Sequence, residues 1–355
     1  MKKFIFLLVT ALVLGATIPT LANAATAWKA VTPEGYTPIN WVKERGINSF
    51  MKVPTGNGYI DYLTVIYLPY NQINFFNSTT PPISWGPARA PFDVVASEAS
   101  STVQDWAVPR MVAEQVKADN SSMRFFWNVP FFNITVNTTN LSLSLKSTNA
   151  TTTYISTGSR PENDIAQKRR MLIVNNEKSF GQITDFDERL FVSTSTGDQA
   201  VEGFAPFILK TDGNGAATGR LFLGMKPGGK ELVVYCSQSA TPLEASNALS
   251  DAGVPSENQL QADGGASAAC GYNLPGQYFV APGRTLPHLM GATPVLYRAT
   301  VTTEGLNVRS GAGPKFTSVR KLKKSLAVTV YEEKSGWARI SNKQEWVSVK
   351  LLKKI

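Results

Sequence analysis

Histidine and cysteine are nearly absent from this chain: its 355 residues hold one histidine and two cysteines. The histidine, His288, follows Pro287 in an apolar stretch. A single imidazole removes the main support for a histidine-rich metal centre and for a Ser-His-Asp triad. No metal and no cofactor are expected. Long apolar runs are missing as well. Past the N-terminus none reaches the roughly 18–20 residues that a spanning helix requires, so no integral membrane span is expected. Charged residues make up 17% of the chain and hydrophobic ones 43%, ample for a packed core.

What is present speaks first of the compartment. MKKFIFLLVTALVLGATIPTLANA carries two lysines, an apolar core from Phe4 to Leu14 and the small-x-small pattern Ala22-Asn23-Ala24. That is the layout of a secretory signal peptide over residues 1–24, cleaved near Ala24. The mature chain is therefore expected to be secreted or periplasmic. In that setting the pair Cys236 and Cys270 suggests one disulfide, two buried thiols being the alternative. A mature length of about 330 residues makes two domains the default.

Charge separates those domains. From Ala299 to Ile355 there are 12 Lys and Arg against 4 Asp and Glu, a balance of +8, while the whole precursor carries +9. With two lysines in the signal peptide, residues 25–298 are close to neutral. A small basic domain on an exported protein is drawn to anionic polymers. Cell-wall material fits that compartment, and nucleic acid is not an expected partner. The plainer reading is a solubilising lysine surface.

The basic segment has its own pattern. Alternating runs around Leu306-Val308, Ala327-Val330, Trp337-Ile340 and Trp346-Val349 are separated by Gly, Asn, Ser and Lys turns, as in a small all-β barrel. The string LNVRSGAG, followed by VRKLKK, VTVYEE, GWARI and EWVSV, resembles a bacterial SH3 domain over residues 299–355. Ser325 stands where that family usually turns on Gly, and Glu345 replaces the Gly before the last Trp. Tyr331, Trp337 and Trp346 either line a groove or form core.

Residues 25–298 mix strands and helix without regular βαβ alternation, which predicts an α+β domain with a mixed sheet. TGRLFLGM (218–225) and KELVVYC (230–236) read as a hairpin across PGG. PLEASNALSDAG (242–253) has Pro in a first turn, periodic apolar residues and a terminal Gly, the marks of a helix. NQLQADGGASAA (258–269) reads as a strand ending in a Gly turn. Helix is also expected within 94–119.

The order WNVPFF, VEGFAPFILKTDG, GRLFLGM with KELVVY, a helix carrying LEA, then QADGGASA resembles the phosphodiester glycosidase family. Each motif alone is weak; their order along residues 120–295 carries the resemblance. It implies hydrolysis of a sugar-1-phosphodiester, such as one of N-acetylglucosamine, in a cell-surface glycosyl-phosphate polymer or glycolipid. On the matching positions it implies Asp263 and Glu244 as the catalytic carboxyls and Arg220 as the group that forks onto phosphate oxygens. Gly264 and Gly265 would let backbone amides approach an anion, and Asn128 and Ser267 would orient substrate.

Each residue has a structural alternative. Asp263 can cap a turn, Arg220 can pair on the surface, Asn128 can form a turn, and any acid at Glu244 is favoured by the helix dipole. The chain departs from the family's pattern at Leu221, Ala262 and Ala266. It also runs Cys236-Ser237-Gln238 where the family has Asp-Gly. A non-catalytic carbohydrate- or cell-wall-binding protein on the same fold is therefore the second hypothesis.

Overall fold

The structure, a computed structural model, describes residues 28–41, 43–53, 58–76, 113–120, 122–128, 143–146, 153–156, 169–185, 198–206, 217–274, 277–283, 286, 289–341 and 344–355. The signal peptide and His288 lie outside the described residues. No helix among the described residues is long and apolar enough to cross a membrane.

Among the described residues, fifteen strands precede the basic segment. They are β1 (Thr37–Pro38), β2 (Ile47–Lys52), β3 (Asp61–Tyr67), β4 (Asn71–Phe76), β5 (Phe125–Asn128), β6 (Leu143–Lys146), β7 (Thr153–Ser156), β8 (Arg169–Asn175), β9 (Phe180–Asp185), β10 (Asp198–Phe204), β11 (Thr218–Met225), β12 (Glu231–Ala240), β13 (Gln259–Gln261), β14 (Cys270–Tyr272) and β15 (Leu289–Pro294). Eleven of them make one sheet, ordered β1-β2-β3-β12-β11-β13-β10-β7-β6, with β8 also on β10 and β9 on β8. The β10–β7 pairing is parallel and the other pairings in this sheet are antiparallel, so the sheet is mixed. A second sheet runs β14-β5-β15-β4.

The two faces of the large sheet have different neighbours, which explains its composition. Leu221, Leu223, Val234 and Cys236 pack with Phe125, Trp127, Tyr272 and Met290 of the small sheet. Phe222, Val233, Tyr235, Leu63 and Val65 pack with Ala245, Ala248 and Leu249 of the helix Pro242–Asp251. Strands covered on both sides carry near-continuous apolar runs rather than alternation, hence LTVIY, LFLGM and LVVYC. Cys236 on β12 is bonded to Cys270 on β14, with Cα atoms 6.6 Å apart, and this bond joins the two sheets.

Helix is sparse. Among the described residues it comprises Ala113–Asp119 and Pro242–Asp251 besides single 3-10 turns, so the fold is mostly β and less helical than the α+β expectation. The second helix has Pro242 in its first turn, as its sequence predicts, and Thr241 and Glu244 add a reciprocal capping box. Gly253, two residues past its end, takes a φ of 86°. Gln259 clamps the helix to the sheet, accepting from Ser246 Oγ at 2.6 Å and donating to the Ser246 carbonyl at 3.1 Å.

The basic segment holds β16 (Tyr297–Val301), β17 (Leu306–Arg309), β18 (Ser318–Leu322), β19 (Ala327–Val330), β20 (Glu332–Lys334), β21 (Trp337–Arg339), β22 (Trp346–Ser348) and β23 (Leu352–Lys354). These form two sheets, β19-β16-β23 and β18-β17-β22-β21-β20, around a cluster that includes Val308, Leu322, Val330 and Val347. Trp346 is buried, and its indole N–H donates to Gln344 at 3.0 Å. Tyr331 instead hydrogen-bonds Gln72 on β4, whose amide also donates to Thr329 Oγ1 at 2.8 Å. Arg45 adds a bond to the Leu296 carbonyl at 2.7 Å. Polar contacts thus tie the module to Gln72 of β4 and to Arg45 ahead of β2.

Of the module's two unusual residues, Glu345 has a local partner and Ser325 keeps the backbone of the glycine it replaces. Glu345 meets Arg320 in a two-pronged ion pair, with Nε 3.1 Å from Oε1 and Nη2 2.9 Å from Oε2. Ser325 has a φ of 67°, in the left-handed region where a Cβ is disfavoured. Ser325→Gly is expected to stabilise the module by up to about 1 kcal/mol, seen as a higher denaturation midpoint.

Candidate functional site

Strand register brings the polar residues together. On the helix-facing side, Lys52 of β2 lies opposite Asp61 of β3, and Asp61 lies opposite Ser237 of β12. Ser237 in turn lies opposite Arg220 of β11. Directly opposite residues in antiparallel strands share a face, so the four form one row across the sheet. The β11–β13 pairing sets Phe222 against Gln261, and Ala262 N donates to the Leu221 carbonyl at 3.0 Å. Continuing that register places Asp263 next to Arg220, at the end of the row.

The glycine turn is close against β11. A Cβ on Gly264 would lie 2.5 Å from the Gly219 carbonyl oxygen, and one on Gly219 would lie 2.3 Å from the Gly265 carbonyl oxygen. The missing side chains therefore admit the protein's own backbone. The amide of Gly264 is taken by Asp263 Oδ1 at 2.9 Å, and Gly265 has a φ of 59°. Gly264 and Gly265 thus seat the turn, which carries Asp263, beside Arg220.

Asn128 and Ser267 complete that seating. Asn128 is 1% exposed. Its Nδ2 donates to the Asp263 carbonyl at 3.3 Å and its Oδ1 accepts from Ala269 N at 2.9 Å. One side chain thereby bridges both ends of the Asp263–Ala269 loop. Ser267 is fully buried in the 3-10 turn Gly265–Ser267. Both residues shape the loop from within the fold.

Arg220 is half-buried, and its Nε donates to the Ala240 carbonyl at 3.0 Å. Burial draws its pKa down, while Tyr235 pulls it up; a guanidinium stays charged at neutral pH. Glu244 is exposed at the helix N-terminus, its Oε2 accepting from Thr241 N at 2.7 Å and from Thr241 Oγ1 at 2.9 Å. Its carboxylate is engaged by the helix cap.

Asp61 is a residue that the sequence reading missed. Tyr235 donates its hydroxyl to Asp61 Oδ1 at 2.9 Å, and the Ser237 hydroxyl also hydrogen-bonds the carboxyl. Burial pushes the Asp61 pKa up and the Glu244 carboxylate adds to this, while Ser237, Tyr235 and Lys52 act the other way. Tyr235 is fully buried and its pKa is pushed far up by desolvation, then by Asp61. In sequence, the only signal for Asp61 was an acid opening an apolar strand run.

On the other face lies an aromatic depression lined by Trp41, Tyr272, Gln277, Tyr278 and Phe279. Trp41 is 61% exposed and sits edge-on to Tyr272, with ring centres 6.0 Å apart. Tyr62 stacks on Phe279 at 4.5 Å. No group of three or more His, Cys, Asp or Glu able to hold a metal occurs among the described residues.

No curated protein matches the chain. Among solved structures, the chain is similar to the catalytic domain of zebrafish N-acetylglucosamine-1-phosphodiester α-N-acetylglucosaminidase, auto-inhibited by its pro-peptide. That pair is 13% identical, covers 70% of this chain and 82% of the other, and has a TM-score of 0.42. A hypothetical protein from Synechocystis is 12% identical, with 73% of this chain and 64% of the other covered and a TM-score of 0.38. Residues 304–353 match the bacterial SH3 domain family, and the C-terminal module is a bacterial SH3 domain.

Proposed function

We propose that this chain is an exported hydrolase that cleaves glycosyl phosphodiesters at the sugar C1–O bond, and that its SH3 domain holds it on cell-wall material. The observation that carries this reading is the row in which Arg220 stands between two acids, Asp263 on one side and Asp61 beyond Ser237 on the other. A guanidinium suits a phosphodiester anion, and carboxyls suit proton handling around an anomeric carbon. In this reading Arg220 grips the phosphate and Asp263 activates the attacking water. Asn128, Gly264, Gly265 and Ser267 hold Asp263 in place. Glu244 keeps the helix end rigid and adds negative charge near Asp61. The order of sequence motifs, the signal-peptide layout and the basic SH3 domain are consistent with an exported, wall-associated enzyme.

The test is to incubate the mature protein with an N-acetylglucosamine-1-phosphodiester and measure free sugar. Release of N-acetylglucosamine is expected, with Asp263→Asn binding the diester and failing to release it. Binding without turnover by the unaltered protein favours a carbohydrate-binding protein on the same fold. The exposed Trp41 and its aromatic neighbours support that second reading, because such rings offer an apolar face with polar tips.

A further inference from the structure

We infer that Asp61 is the proton donor of this site, delivering a proton to the phosphate oxygen that departs from the sugar. The inference rests on the glycosyl-phosphodiester reading and gives the second carboxyl's role to Asp61 in place of Glu244, whose carboxylate is held by Thr241. Its basis is position and contacts. Asp61 lies two strands from Arg220 in the same row, on the side away from Asp263. Three strand spacings separate the two acids, roughly 14 Å between their Cα atoms. That Cα separation is too wide for the roughly 5 Å carboxyl pair of a double-displacement glycosidase, and side chains leaning in toward Arg220 must close it to the roughly 6.5–9.5 Å that admits a water in a single displacement.

The contacts orient the carboxyl. Tyr235 and Ser237, both fully buried, hydrogen-bond it from β12. Lys52 faces it from β2, Glu244 from the helix, and Tyr36 from the segment before β1. Asp61 itself is half-buried, with part of its surface open to solvent. Burial first and Glu244 after it push its pKa up, against Ser237, Tyr235 and Lys52, which is the direction a general acid requires.

The step balances as follows. The C1–O bond breaks with its electron pair going to the phosphate oxygen, which takes the proton of Asp61. Water adds to C1 and gives its proton to Asp263. Exchange with solvent then returns a proton to Asp61 and removes one from Asp263.

The experiment follows turnover of N-acetylglucosamine 1-(methyl phosphate) against pH in the full mature protein. This diester stays monoanionic, so any limb belongs to the protein. In the unaltered enzyme kcat is expected to fall as pH rises through the Asp61 titration, which carbon NMR reads independently by its absence from Asp61→Asn. Asp61→Asn should lower kcat about 100-fold at low pH and abolish the limb. Tyr235→Phe removes a bond to the charged form and should move the limb up by about one pH unit. Glu244→Gln removes a repelling charge, keeps a capping oxygen, and should move the limb down. An unchanged limb in Asp61→Asn overturns the assignment while leaving the phosphodiesterase reading intact. Should the unaltered protein not turn over the diester, that reading fails. Calorimetry with the same diester then decides, because binding that does not strengthen as Asp61 protonates overturns the assignment as well.

Discussion

Arg220→Met is expected to lower kcat/KM for a glycosyl phosphodiester by about 100- to 1000-fold, the order of effect of removing one hydrogen-bond donor from a reacting oxyanion. Methionine preserves most of the half-buried stem, so the fold should survive. Arg220→Lys should recover little. Lysine is a point charge without the planar fork, and it cannot both keep the bond from Nε to the Ala240 carbonyl and present two parallel donors. The check is sugar release by both variants from the diester and from a neutral glycoside of the same sugar, beside thermal melts. Loss confined to the diester identifies a phosphate contact. Equal loss on both substrates, with a lowered melting temperature, would make Arg220 a structural residue.

Asn128→Ala is the second large effect, and it is on stability. The asparagine fills a fully buried position and closes the Asp263–Ala269 loop by bonding the Asp263 carbonyl and the Ala269 amide. Truncation leaves a buried C=O and a buried N–H without those bonds, each costing about 1–3 kcal/mol. Together with the small void, a loss of about 4 kcal/mol is expected. Chemical denaturation measures it. Activity should fall with it, because the loop that holds Asp263 loosens. Asn128→Asp keeps the acceptor for Ala269 N and should retain part of both.

These two expectations show which parts of the molecule could be read from the chain. The hairpin of β11 and β12, the capped helix and the strand before the glycine turn follow from local signals, and the structure has each of them. Their alternation, turn residues and caps are properties of neighbouring residues. Ser325 was equally legible: a serine at a family glycine, found with a left-handed φ.

Long-range register was not legible. The sequence reading looked for an acid just after the strand that ends near Cys236 and found Ser237. The structure sets Asp61 directly across from Ser237, from a strand more than 170 residues earlier in the chain, as the separation of 174 between Tyr235 and Asp61 shows. Nothing local announces that pairing. Glu244 is the opposite case: its position in a first turn was visible in the chain, while the bonds its carboxylate makes to Thr241 appear only in the structure. The glycines after Asp263 were read as clearance for a ligand. Close approach is real there, but the neighbour is the backbone of Gly219.

The bond between Cys236 and Cys270 also closes a covalent ring. Within its span of 34 residues lie Ser237, the capped helix, the Gln259 clamp and the turn bearing Asp263. Its most accessible points include the exposed Asp251, Gly253, Ser256 and Glu257, between helix and strand. A protease outside the cell that cut there would open the ring without releasing either fragment. The nicked protein would run as one species until its disulfide was reduced, and its acid-bearing turn would remain tethered beside Arg220.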